Sequence, residues 1–319
     1  TVETVAKGEA KSILEAEVQP AVTSFKEDAL FMRTIARAQG YDFKAYQELL
    51  KSAKGTNDNA RIANQVATEI DRSLARDRSD FSPKRTFMTF AGTNFFNGPF
   101  TSDELAVRFP QVARDQTSFN REGFINTVSD LKQPLFMPLL MEFLMNETDL
   151  GVADRVTIAI SELAKDDFHP RDFERIQTWW ASHQSEYTNW PVSEYNAGHI
   201  EFAMGRFPEA FELFQKVLRL DPSAEQSRAL AIVCSFEAGK TNIATELAKG
   251  FKQPETRWAQ WASAFSELQS GSTSNATARF ADLSIKHPTM KPLLPQEDVT
   301  GWAKIDWQLF KRLTSTEKK

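Results

Sequence analysis

Ile62, Val66, Ile70 and Leu74 recur at steps of four through a polar background, the spacing of one apolar face on an α-helix. Upstream, Ile13, Val18, Val22, Phe25, Ala29 and Met32 recur at steps of three to five around Pro20, which predicts a helix over residues 1–38 closed by Gly40. Tyr46, Leu49 and Leu50 open another helix before the loop Gly55-Thr56-Asn57-Asp58-Asn59. Thr101-Ser102-Asp103-Glu104 carries a hydroxyl residue followed by acidic ones, a helix start signal. Between these helices the pattern lapses. Phe81, Phe87, Phe90, Phe95, Phe96 and Phe100 sit among Gly92, Asn94, Asn97, Gly98 and Pro99, which reads as an aromatic hairpin or an irregular loop packed into a core.

Helical spacing resumes in Pro134–Met145, then Asn146-Glu147-Thr148-Asp149 makes a polar turn and Val152, Val156, Ala159, Ile160 and Leu163 form a second apolar face. This pair of helices joined by a short polar turn resembles one HEAT repeat. Phe173, Ile176 and Trp179-Trp180 predict one more helix, and Val299, Trp302, Ile305, Leu309 and Leu313 mark a final helix able to cap what precedes it.

After Trp190 a fixed period emerges. Gly205, Ala210, Phe214 and Pro222 recur as Gly239, Ala244, Ala248 and Pro254, and again as Gly271, Ala276, Phe280 and Pro288. Each glycine precedes its alanine by five residues, and successive glycines are 34 and 32 residues apart. This region, residues 191–290, resembles the tetratricopeptide repeat, a helix–turn–helix of 34 residues. Gly198 and Ala210 are small enough for two helices to approach closely, Phe207 and Phe214 fill the space beside them, Gly205 permits the turn, and Pro222 ends the second helix. The resemblance falters at Ala197, Glu201, Ser235 and Ala248, where the family's larger residues are missing.

The expected fold is therefore all-α, an α-solenoid with a HEAT-like helical region followed by tetratricopeptide-like repeats. Its divisions are a helix or linker over 1–40, a HEAT-like domain over 41–190 and a repeat domain with a capping helix over 191–319. The resemblance implies that the first helix of each repeat lines a concave groove for a partner segment. Carried over, that face holds Tyr195, His199 and Phe202, then Phe236, then Trp258, Trp261 and Phe265. Two readings of these aromatics stand. Either they form an exposed patch that anchors a partner, or they are core, covered by the chain's own helix bearing Trp302, Trp307 and Phe310. The Lys/Asn set with which some relatives clamp a C-terminal carboxylate is not at these positions.

Candidate chemistry is sparse. Gly239-Lys240-Thr241 looks like the end of a phosphate-binding loop, but Ala231–Ala238 contains no glycine at the required spacing. His169, His183, His199 and His287 stand singly, and Asp166-Asp167 beside His169 reads as a polar turn. The lone cysteine, Cys234, excludes an internal disulfide or a multi-thiolate metal site. With 38 basic against 43 acidic residues the chain has no broad attraction for nucleic acid. No run of about 18 apolar residues spans a bilayer. The chain opens at Thr1, so an anchor or leader upstream fits, and the compartment stays open between cytoplasm and the soluble part of an anchored protein. No catalytic residue, metal or cofactor is expected. The function that follows is a non-catalytic scaffold holding a protein or peptide partner in a helical-repeat groove. The alternatives are an enzyme or enzyme-regulatory domain with a site between the helical halves, and a structural domain beside a membrane.

Overall fold

The computed structural model describes residues 26–79 and 101–287. The expectations for residues 1–25, for Phe81–Phe100 and for the cap bearing Trp302, Trp307 and Phe310 lie outside these residues. Within them the protein is all-α, and consecutive helices pack on one another. The chain divides into two compact units. One takes residues 26–79 and 142–182, and the other takes 101–141 and 183–287.

In the first unit, α1 spans residues 26–39, followed by α2 (Phe43–Ser52) and α3 (Asp58–Ser79). Gly40 does not close α1 in the manner expected. Tyr41 takes the left-handed turn conformation (φ 64°), with Asp42 N–H donating to the Arg37 carbonyl at 3.1 Å. A tyrosine is costly at that φ, and its hydroxyl is held by Ser73 and Asp77 of α3, each at 2.9 Å. Asp42 then caps α2 through the Ala45 N–H (2.9 Å). α7 (Leu150–Ala164) and α8 (Phe173–His183) complete the unit. Residues 41–43 pair antiparallel with 148–150, Phe43 N–H to the Thr148 carbonyl and Leu150 N–H to the Tyr41 carbonyl. Tyr46, wholly buried, donates to Asp71, and Arg171 pairs with the same carboxylate at 2.7 Å. α6 (Met137–Asn146) and α7 are joined by the predicted polar turn, with Asp149 capping α7 through the Val152 N–H. The division between units falls within α6.

The second unit holds α4 (Ser102–Val112), α5 (Ser118–Leu131) and six helices in sequence: α9 (Val192–Ala203), α10 (Phe207–Leu220), α11 (Glu225–Glu237), α12 (Thr241–Ala248), α13 (Arg257–Gln269) and α14 (Thr273–Lys286). α9 packs on α10, α11 on α12 and α13 on α14, while α11 also lies against α10 and α13. The turn inside each pair is the same structure three times. Gly205, Gly239 and Gly271 have φ of 72°, 70° and 83°, a region open to glycine at no steric cost. Each glycine N–H donates three residues back (to Phe202, Phe236 and Leu268), and the next N–H donates five residues back (to Glu201, Ser235 and Glu267). The recurring alanines 210, 244 and 276 are buried, and Ala248, the weak point of the second copy, is exposed. At the first pair's closest approach, a Cβ on Gly198 would sit 2.8 Å from the Phe214 ring. Residues 101–141 group with the helices after 183, and α4 is packed into them.

Candidate functional site

The first helices of the three pairs, α9, α11 and α13, share a face, and α4 lies on it. Leu105, Ala106, Phe109 and Val112 form the apolar stripe of α4, all buried. Its first turn is buried as well, although it is polar: Ser102, Asp103 and Glu104 are 1%, 0% and 8% exposed. Buried carboxylates need partners, and each here has them. Glu104 pairs with Arg257 at the start of α13 and accepts from the Trp258 indole N–H at 3.2 Å. Its other role is local, since the Thr101 backbone N–H donates to it at 3.1 Å, half of a capping box.

Asp103 reaches across to α11. Its Oδ2 accepts the Ser227 backbone N–H at 2.8 Å and the Ser227 hydroxyl at 3.0 Å, and its other oxygen meets the Thr101 hydroxyl. The first turn of α11 leaves N–H groups without helical partners, and its own N-cap, Ala224, offers no side-chain acceptor. Asp103 supplies the missing cap from another helix. A third carboxylate, Asp221, receives the Ser102 hydroxyl, the Trp190 indole N–H (2.8 Å) and the Ser223 N–H and hydroxyl (3.0 and 2.7 Å).

Burial dominates the electrostatics of this cluster. It pushes the Asp103 carboxyl up to about 7; the Thr101 and Ser227 hydrogen bonds pull down, while the neighbouring Glu104 and Asp221 carboxylates push up again. Glu225 is raised and Arg108 lowered, in both cases first through burial. A cavity of about 180 Å³ opens beside the α4 N-terminus, lined by Ser102, Gln133, Glu225, Lys252, Thr256 and Arg257 among others.

The candidate partner-binding residues fall elsewhere than in an exposed patch. Tyr195, Phe202, Trp258, Trp261 and Phe265 are 1–6% exposed, and His199 and Phe236 are partly buried. Five of them, Tyr195, His199, Trp258, Trp261 and Phe265, belong to two ring series. Trp190, Tyr195, His199 and Phe214 follow one another at centroid distances of 5.5, 4.4 and 5.5 Å. Trp258, Trp261, Phe265 and Phe280 do so at 5.8, 4.4 and 5.4 Å. With α4 in place these rings are buried rather than exposed, and Trp258 lies directly against it through Glu104. The helix observed over this face is α4, a cover that sequence reasoning did not name. Its only sequence signal was the acidic start at Asp103-Glu104, which reads equally well as a solvated helix N-terminus.

Burial also holds the His199 imidazole down to about 4 and raises the Cys234 thiol, which therefore stays protonated and inert. Among the described residues no three His, Cys, Asp or Glu are grouped to hold a metal ion, and no helix is long and apolar enough to cross a membrane. What the cluster does chemically is hold the N-terminal end of a helix against the starts of two others. No family model, curated protein or solved structure matches this chain.

Proposed function

We propose that this chain is a non-catalytic interaction scaffold that holds a helical segment of a partner protein on the face of α9, α11 and α13. The observation that carries this reading is that the face already holds a helix, α4, by a buried apolar stripe and by acidic residues at its N-terminal end. In this reading the helix pairs are tetratricopeptide-like repeats following a HEAT-like region, and α4 is an intramolecular occupant that a partner helix replaces. Two features favour exchange. Pro110 lies inside α4 and contributes no N–H to it, and the α4 carboxylates are held at a desolvation cost that hydration would relieve.

Hydrogen exchange on the full chain tests the reading. In low denaturant, the α4 amides are expected to exchange through an opening smaller than the unfolding that exposes α9–α11. Exchange of α4 only with the unfolding of the whole unit would overturn the proposal, since a face that never opens holds no partner.

A further inference from the structure

We infer that α4 is a pH-dependent latch, seated on α11 and α13 while Asp103 is neutral and loosened when Asp103 ionises, so that alkaline conditions bare the face beneath it. The functional sense of this inference rests on the reading of that face as the partner surface, but the latch itself stands on the geometry of Asp103.

That carboxyl is fully enclosed, and its neighbours are known from every side. On α4 itself are the Thr101 hydroxyl, Glu104 and Arg108. α9 contributes Tyr195, whose hydroxyl faces both Asp103 and Glu104. The segment before α11 brings Asp221, and α11 brings Ser227 with Glu225 at its start and Arg228, which faces Asp221 and Glu225. Across from Glu104, α13 presents Arg257. The buried charge on α5, which also packs on α4, is Arg121, and it donates to the Asp115 carbonyl at 2.6 Å.

Glu104, Asp221 and Glu225 already face the arginines of this enclosure, Glu104 with Arg257 and Arg108, and Asp221 and Glu225 with Arg228. The Thr101 hydroxyl, which donates to one Asp103 oxygen, turns to accept when that oxygen carries a proton, while the other oxygen keeps accepting from Ser227. Removing that proton adds a buried negative charge beside the Glu104 and Asp221 carboxylates. Opening α4 hydrates the new charge, so ionisation and opening favour each other. The raised pKa of Asp103 agrees with this direction and puts the transition near neutrality.

The test is hydrogen exchange of α4 in the full chain at about pH 5 and pH 8, corrected for the intrinsic exchange rate. An open Asp103 ionises near its ordinary value and a closed one at about 7, so the opening equilibrium is expected to rise roughly 10- to 100-fold and then level off above neutrality. Asp103→Asn, which cannot ionise, is expected to abolish the rise. Opening that occurs but is independent of pH, or a pH dependence that survives in Asp103→Asn, overturns the latch and leaves the partner face intact. Absence of any opening short of global unfolding overturns the reading of the face instead. Should Asp103→Asn fold poorly, the side-chain ¹³C shift of Asp103 in the native protein decides. Titration near pH 7 supports the latch, and titration in the ordinary carboxylate range overturns it.

Discussion

Asp103 caps a helix to which it does not belong: from α4 it accepts both the backbone N–H and the hydroxyl of Ser227 in the first turn of α11. Replacing it with alanine orphans a buried N–H and hydroxyl. At acid pH, Asp103→Ala is expected to cost about 1–3 kcal/mol. Near pH 8 the same change removes an ionised, desolvated group, so the loss shrinks or reverses. Urea unfolding at the two pH values measures the difference.

Glu104 and Arg257 form a buried pair across 153 residues of sequence. Removing one partner leaves the other charge buried alone, so Glu104→Gln or Arg257→Ala is expected to cost about 3–5 kcal/mol. Replacing both with methionine is expected to recover most of that loss. A double-mutant cycle by chemical denaturation tests it, and strict additivity of the two single changes would contradict the coupling.

Two glycines separate a clash from a strained backbone. Gly198→Ala drives a methyl group to 2.8 Å from the Phe214 ring, and overpacking of this kind costs about 1–3 kcal/mol. Phe214→Leu in the same chain is expected to return part of that loss. Gly239→Ala meets no atom within 4 Å, yet its φ of 70° costs about 1–2 kcal/mol, which no neighbouring substitution relieves. Thermal melts of the single and paired variants tell the two mechanisms apart.

His199 and Asp103 give stability opposite pH slopes. The His199 pKa is depressed by burial to about 4 from 6.5, so the fold accepts the neutral ring; that contribution is intact above about pH 6.5 and is lost as the pH falls through 4. The Asp103 pKa is raised to about 7 from 3.8, so its contribution is intact below the unfolded value and is lost as the pH rises to about 7. Between about pH 4 and 6.5 the two oppose each other. Relative to the wild type, His199→Leu is expected to make stability fall more steeply across that range with rising pH, and Asp103→Asn to make it rise. Urea midpoints at several pH values provide the measurement.

In the first unit, Tyr46→Phe removes the hydroxyl that shares Asp71 with Arg171 and leaves the buried ring in place. The expected cost is about 1–2 kcal/mol. Arg171→Ala in the same background should then cost more than it does alone, because Asp71 has lost both donors. Denaturation of the four variants completes the cycle.

Local conformation and close packing were legible in the sequence. The spacing of Gly205, Gly239 and Gly271 announces three like turns because only a residue without Cβ takes that φ freely, and Gly198 announces a close helix approach. Tyr41 was not legible as a turn residue, because the hydroxyl contacts that hold it come from Ser73 and Asp77 on another helix. The aromatic residues could be assigned to the first helices by period, but periodicity gives a face and not the element that covers it. Asp103 and Glu104 show the same limit from the polar side. Two acids at a helix start satisfy the helix dipole whether exposed or buried, and their partners Ser227 and Arg257 lie 124 and 153 residues away.

That separation has a consequence for how the molecule is made. α4 leaves the ribosome well before α11 and α13 exist, and all of residues 142–182 are synthesised in between. At about 5–20 residues per second, α4 waits roughly 8–30 s for the arginine that pairs with Glu104. During that interval α4 has α5, whose Phe124 meets Phe109, but neither α11 nor α13, and the Asp103 and Glu104 carboxylates lack Ser227 and Arg257. A nascent chain halted before residue 225 therefore presents α4 with the side that meets α11 and α13 uncovered, a segment for a chaperone to hold during synthesis.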